Sequence, residues 1–352
     1  MGSPSPDSPH PAQQCRLEPA ASEPEVDLEA LLDLASPWCL RVATTLRIAD
    51  HVAAGHHQIA DLAGVAGCHV GALHAVLSHL ATKGVFREEA PGWFALNPAA
   101  AELRDPGPFL DLDGIGARFA DVWGTLLRYV RTGRPAYHER FGRPFWQDLA
   151  ANPELAADFY LLMRPSGPGD PDYDIELVGG WDRVETVIDV GGGTGAMLAG
   201  LLRRHPHVRG VLVDLPGTVA RAAVVLGDPA IADRVSIVAQ SFFDPLPAGA
   251  SLYLLKKVLN DWPDDETVAI LRRCAEAAIP LGRVVILGGI SPDDAPPGLE
   301  VETVLFGGRS NTLAEFRQLA HQAGLVVDAA GVQPSGQFVV ECRARSAAPS
   351  QV

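Results

Sequence analysis

From Leu28 to Ala54 apolar residues recur at helical spacing, through Leu31, Leu32, Leu34, Leu40, Val42, Leu46 and Ile48. This predicts a largely buried helical pair, broken or started at Ser36-Pro37. Gln58 to Phe94 then reads helix, turn, helix and two short strands: Ile59 to Ala63, a Gly67 turn, the run Val70 to Lys83, Val85-Phe86, and Trp93 to Leu96 after Pro91-Gly92. That succession is a winged helix pattern. Phe109 to Met163 is helical again, with breaks at Gly133 to Pro135 and Gly142 to Pro144, and carries Trp123, Tyr129, Phe145, Trp146, Phe159 and Tyr160. Rings at this density fill a core or wall a ligand pocket.

Beyond a Pro- and Gly-rich linker at Arg164 to Gly169 the period changes. Strands are expected at Val184–Val190, Val208–Val213, Val235–Val238, Leu252–Leu255 and Arg283–Leu287, and helices at Ala196–Arg204, Thr218–Leu226 and Asp265–Ala277. Short apolar strands alternating with helices imply a parallel sheet covered on both faces. A last helix, Thr312–Ala323, and strands near Val326 and Phe338–Cys342 add an antiparallel edge. The expected fold class is α/β: a Rossmann-like doubly wound domain behind a mostly helical winged-helix domain. Met1 to Glu25, rich in Pro, Ser and acidic residues without an apolar period, reads as a disordered tail. The chain divides into a tail (1–26), a winged-helix dimerisation domain (27–105), a helical connector contributing to a substrate pocket (106–170), a nucleoside-binding domain (171–345) and a second tail (346–352).

Composition decides what the winged helix is for. With 28 Lys and Arg against 43 Asp and Glu, the 352-residue chain has a net charge of −15, which opposes a large phosphate-binding surface. Its second helix offers Gly71, Ala72, His74, Ser78 and His79 but only Lys83 as a cation. Subunit pairing is therefore expected, and nucleic acid is not. The five cysteines, at 15, 39, 68, 274 and 342, lack paired or metal-type spacing, so reduced thiols in the cytoplasm and no metal site are expected. No stretch approaches the roughly 20 apolar residues of a membrane span, and no export leader is visible.

The chemistry-bearing motif is Glu185 to Gly195, an apolar strand running through Asp189 and Val190 into Gly191-Gly192-Gly193-Thr194-Gly195 and then a helix. Glycines permit positive φ and close backbone approach, and a helix amino end favours an electron-rich group. Asp214 follows Gly195 by 19 residues at the end of the next strand, where a carboxylate accepts from ribose hydroxyls. The motif also satisfies G-x-G-x-x-A through Gly191, Gly193 and Ala196, so a dinucleotide stays open on these residues alone.

Taken with Val213-Asp214-Leu215-Pro216, Phe242 to Pro247, Leu255 to Trp262, Leu305 to Gly308 and Phe141 to Trp146, the chain resembles the dimeric class I S-adenosylmethionine-dependent O-methyltransferases of small aromatic molecules, from about Leu28 to Cys342. The resemblance implies S-adenosylmethionine as cofactor and a homodimer. It implies Asp189, Gly191, Gly193 and Gly195 at the methionine part, Asp214 at the ribose, Ser241 and Phe242 at the adenine, and Leu215 and Lys256 in contact with the cofactor. Ser241 stands where the family usually has Asp. Trp146, Phe159, Met163, Asn260, Glu302 and Phe306 are the expected substrate pocket.

The departures concentrate at the reacting centre. The resemblance implies a histidine base oriented by two glutamates, and Asn260, Gly288 and Ser310 stand in their places. Neutral Asn positions a substrate but takes no proton. Two carboxylates are candidate replacements. Glu302 is either an inward, desolvated acid or base or a solvated side chain on a helix. Asp261 either shares that work or caps the helix that follows. His138 and His321 are isolated and read as surface or packing residues.

Three functions are compatible with these residues. One is methyl transfer to a hydroxyl or nitrogen of a small aromatic or polyketide-like product, by proximity and orientation instead of a histidine base. Another is cofactor-assisted chemistry without methyl transfer, such as hydroxylation, decarboxylation or pericyclic ring formation. The last is a non-catalytic regulatory or scaffold subunit.

Overall fold

The computed structural model describes residues 26–105, 107–162, 175–296 and 298–345. Both expected tails, apart from Val26, the linker at Arg164 to Gly169 and Met163 lie outside them. At the amino end the expected helical pair is three helices, Leu28–Leu31, Ala35–Thr45 and Ile48–Ala53. Ser36-Pro37 is not a break but the first turn of the middle helix, where a proline costs no hydrogen bond. Leu28, Leu31, Leu32 and Leu34 are not buried: they are 69–77% exposed.

The winged helix follows with helices Ile59–Val65 and Val70–Thr82 and the hairpin β1 (Arg87–Ala90) and β2 (Trp93–Ala95). The first strand starts later than expected because Phe86 adopts φ 66° and turns its ring into the core. The polar face of the second helix is engaged within the chain. His74 and Ser78 reach Glu88 of the wing, His79 meets Ser36, and Lys83 pairs with Asp33 at 2.7 Å.

The connector is a run of helices, Ile115–Val122, Leu126–Thr132, Tyr137–Phe141, Phe145–Ala151 and Pro153–Leu162, interrupted where the glycines and prolines predict. Arg41 and Thr45 tie the first domain to its start through hydrogen bonds to Phe109 and Leu112. Its core, Ile115, Phe119, Tyr137, Phe145 and Phe159, continues into Val304, Leu305 and Phe306 of the last domain.

That last domain is built on seven strands: β3 (Thr186–Val190), β4 (Arg209–Asp214), β5 (Val235–Ala239), β6 (Leu252–Lys256), β7 (Arg283–Leu287), β10 (Leu325–Val332) and β11 (Phe338–Ala344). A separate short pair is β8 (Ile290–Ser291) and β9 (Asn311–Thr312). The order is β10-β11-β7-β6-β3-β4-β5, parallel from β7 to β5 and antiparallel at β10 and β11. Apolar clusters cover both faces, which is why these strands read as unbroken apolar runs. The expected helix Thr218–Leu226 is instead two short helices, Pro216–Val219 and Ala222–Leu226. Because β4 and β5 extend from one side of β3 and β6 and β7 from the other, the strand order reverses at β3. At such a reversal an open α/β sheet forms a crevice outside the carboxyl ends of its strands, here those of β3 and β6.

Candidate active site

Asp189 is the next-to-last residue of β3, Asp214 ends β4 and Lys256 ends β6, so three charged side chains converge on that crevice. Between them runs the turn Gly191 to Gly195, with φ of 69°, 63° and 78° at Gly191, Gly193 and Gly195. A β-carbon on Gly191 would lie 2.9 Å from Val258 Cγ2 and 3.3 Å from the Phe242 ring, and one on Gly192 would overlap the Asp189 carboxyl. Gly195 stands as the left-handed N-cap of helix Ala196–Arg204, against Leu226. Nothing larger fits at Gly191, Gly192 or Gly195, whereas Gly193 is called for by its positive φ alone.

Asp189 is 1% exposed, and neither carboxyl oxygen has a hydrogen-bond partner. Burial, then the nearby Asp214, push its pKa up to about 7, against an opposing pull from Lys256. Two unpaired acceptors under a glycine turn fit the ammonium of a methionine moiety, since a buried carboxylate demands a cation or donor. Asp214 accepts from the Gly193 N–H at 2.8 Å and the Leu215 N–H at 2.7 Å, and burial raises its pKa. The Thr218 side chain donates to it as well, which leaves a remaining lone pair for a hydroxyl donor. Phe242 stands over the turn, edge-on to Trp262 at 5.8 Å. Ser241 Oγ accepts from the Phe243 N–H at 3.2 Å, closing the end of β5 beside it. These residues fit S-adenosylmethionine.

The second half of the site forms where the connector meets the 3-10 turn Leu259–Asp261 and the segment 300–308. Trp146 stacks on Trp262 at 5.8 Å and on Phe306 at 5.2 Å, and meets Phe159 edge-on at 5.6 Å. Its indole N–H is buried without a partner. Gly307, at φ 84°, packs against Pro135 and Pro263, and a β-carbon on Gly308 would overlap the Asn260 carbonyl. Gly289, at φ 73°, closes the other side, its β-carbon position 3.0 Å from Asn260 Cβ.

Asn260 Nδ2 donates to Asp261 Oδ1 at 3.3 Å, and Asn260 Oδ1 is buried with no partner. Asp261 does not cap the following helix, whose N-cap is Pro263 without a side-chain bond. Instead, burial and then the charges of Glu302 and Glu300 hold its pKa well above the ordinary carboxylate value. Glu302 is half-buried on helix Val301–Leu305. Glu300 rises with burial and Glu302, opposed by Lys257.

Gly288 and Ser310 stand at the two positions where the resemblance implies glutamates. The β-carbon place of Gly288 is 3.0 Å from the Lys257 stem, and Ser310 is exposed. Sequence reasoning missed Trp262 as a ring of the wall, Gly289 as the flank of Asn260, and Lys257. The Gly288-Gly289 and Gly307-Gly308 pairs were the available signal. His138 and His321 are both exposed.

Comparison with known proteins matches residues 123–326 to the O-methyltransferase domain and residues 28–104 to the O-methyltransferase dimerisation domain. The chain is 42% identical to 2,7-dihydroxy-5-methyl-1-naphthoate 7-O-methyltransferase of Streptomyces carzinostaticus, covering 87% of this chain and 94% of the relative. It is 39% identical to aclacinomycin 10-hydroxylase RdmB of Streptomyces purpurascens, covering 88% and 87%. A neocarzinostatin-biosynthesis O-methyltransferase, solved with S-adenosylmethionine and 2-hydroxy-5-methyl naphthoic acid, superposes with a TM-score of 0.81 at 39% identity, over 91% of this chain and 99% of that one. With both family domains matched and relatives 42% and 39% identical over most of their length, the chain belongs to the S-adenosylmethionine-dependent O-methyltransferase family.

Proposed function

We propose that this enzyme, as a homodimer, methylates a hydroxyl or nitrogen of a small planar aromatic or polyketide-like molecule, positioning its substrate without a histidine base. The observation that carries this is the continuity of the two half-sites. Phe242 lies against the glycine turn on one side and against Trp262 on the other, and Trp262 continues through Trp146 to Phe306 as a flat aromatic wall. A planar ring laid on that wall is held at the mouth of the cofactor crevice.

Bound there, the cofactor supplies a methyl group already activated on a positively charged sulfur. The residues of the chain hold and orient. Asp189 takes the ammonium, the turn at Gly191, Gly193 and Gly195 follows the methionine backbone, Asp214 and Leu215 meet the ribose, and Ser241, Phe242 and Lys256 meet the adenosyl end. Trp146, Phe159 and Phe306 exclude water, and Asn260 fixes the nucleophile. General base catalysis contributes about 10²–10⁴-fold, so orientation can carry most of the rate. The hydroxyl proton passes to the carboxyl group of Asp261, which burial makes proton-avid and which lies beside Asn260.

Non-methylating chemistry is the alternative with specific support. A relative 39% identical is named a hydroxylase, and Asn260 in place of the expected histidine is what such a change would leave. Incubation with methyl-labelled S-adenosylmethionine and hydroxynaphthoic acids separates the two. Label moving to the aromatic product supports methyl transfer, and conversion with the label retained on the cofactor selects the alternative. Failure of folded protein to take up the cofactor overturns both. Asn260→Ala is expected to lower turnover more than cofactor affinity, and Asp214→Ala to do the reverse.

A further inference from the structure

The connector helix Leu126–Thr132 has two unlike faces. Leu126 and Tyr129 turn inward, packed on the buried cluster that holds Phe145, Phe159 and Phe306, with Trp146 packed there too. Leu127 and Val130 turn outward, 61% and 71% exposed, in line with the exposed Trp123. Exposed Arg131 and Arg134 finish the stripe. The arginines around them are committed, Arg128 to Glu139 at 3.1 Å and Arg140 to Asp121 at 3.0 Å. Arg131 and Arg134 form no ion pair among the described residues. On a chain of net charge −15, bare apolar side chains beside two uncompensated cations suit an acidic, leucine-rich surface.

Such a surface is present on the same chain. In segment 26–34, Leu28 and Leu31 are 69% and 71% exposed, and Asp27 and Glu29 are exposed beside them. The remaining acid, Asp33, is taken by Lys83 of the winged helix, which anchors the segment and leaves its leucines and first two acids outward. A four-residue helix does not persist alone in water, so these leucines need a surface. The match of residues 28–104 to a dimerisation domain assigns the segment to a contact between copies, and the stripe on the connector lies outside that domain.

We infer that segment 26–34 of a second copy docks on the stripe of Trp123, Leu127, Val130, Arg131 and Arg134, and that this contact braces the substrate wall from behind. The use of that wall by a substrate rests on the function proposed above. About a two-fold axis the same pair of surfaces meets twice, so each contact counts double. Leucines cover Leu127 and Val130, while Asp27 and Glu29 face the two free arginines at the rim, where opposite charges fix register and partner. The inner face of the same helix carries Leu126 and Tyr129 against the cluster of Phe145 and Phe306, so fixing its outer face holds the aromatic wall in place. The cofactor crevice at β3, β4 and β6 has no such link to the stripe.

Two charge variants of the full-length protein test the contact: Arg131→Glu with Arg134→Glu, and Glu29→Lys with Asp27→Asn, the asparagine keeping the helix cap. In sedimentation each variant alone should dissociate at least about tenfold more readily than wild type. Mixed in equal amounts, with one of them fluorescently labelled, they should pair as a heterodimer to within about threefold of wild-type strength, because acid then meets arginine in one contact and lysine meets glutamate in the other. Hydrogen exchange of the separated variants should be faster than wild type in Leu126–Thr132 and Phe145–Ala151 and unchanged in β3 and helix Ala196–Arg204. A folding defect would speed exchange throughout and would not be repaired by mixing. Dimers of wild-type strength from either variant, a mixture that fails to pair, or equal exchange of the connector in dimer and monomer overturns the inference. Uptake of S-adenosylhomocysteine should be the same in wild type and both variants. Its absence from wild type would count against the proposed function, and its loss only on dissociation against the bracing of the substrate wall alone.

Discussion

Asp189 is the residue on which the cofactor half of the site turns. Its carboxyl loses a proton at about 7 in the folded protein, against 3.8 when unfolded. An acid that holds its proton more tightly when folded makes the protein less stable as pH rises between those two values. The melting temperature of ligand-free protein should therefore fall from about pH 4 to about pH 7 more steeply in wild type than in Asp189→Asn, as read by calorimetry. Cofactor uptake has the opposite sense: an ammonium needs the ionised carboxylate, so affinity should weaken about tenfold per pH unit below 7. Asp189→Asn should bind weakly at every pH, and a parallel pH dependence in the two proteins would remove Asp189 from this role. The glycines beside it differ in kind. Gly191→Ala meets Val258 and Phe242 at positive φ, whereas Gly193→Ala faces open space and bears only the left-handed backbone cost of about 1–2 kcal/mol. Chemical denaturation should show the first variant clearly less stable than the second.

At the scale of elements, one boundary carries an energy that can be measured. Thr312 ends β9 and caps helix Leu313–Gln322 in a reciprocal box with Glu315. Thr312→Ala should cost about 0.5–2 kcal/mol in urea unfolding, with the m-value unchanged. A neutral result would mean that the Arg309–Glu315 pair, at 3.1 Å, holds the turn unaided. Such boundaries show how far the sequence is readable. Strand Arg283–Leu287 and the breaks at Gly133 and Gly142 were legible because apolar runs and glycines act locally. Phe86, at positive φ, and the split of Thr218–Leu226 were not, since tertiary packing decided them. The site divides along the same line. Asp189, Asp214 and the glycine turn sit at strand ends that the period of the chain already marks. Asp261 looked like a cap from its neighbours in sequence, and its actual surroundings, Glu300 and Glu302, come from about 40 residues away through the packing of segment 300–308.

The whole molecule leaves its amino-terminal helices incompletely covered. Leu31 is 71% exposed and Leu32 and Leu34 each 77%, on and just after a four-residue helix that could not persist in water alone. Covering a leucine contributes about 1.5–3 kcal/mol, so this stripe supplies part of what a stable contact with a second copy needs. The match of residues 28–104 to a dimerisation domain places pairing at the same end. The double variant Leu31→Glu, Leu34→Glu should therefore sediment as a monomer at concentrations where wild type is a dimer, and its melting temperature should no longer depend on protein concentration. Cofactor uptake should persist in that monomer, because the crevice at Asp189, Asp214 and Lys256 and the connector packed on Val304 to Phe306 all belong to one chain. Sedimentation of wild type as a monomer at micromolar concentration, or of the variant as a dimer, would place the subunit contact elsewhere. Loss of cofactor uptake on dissociation would show instead that the second copy completes the site.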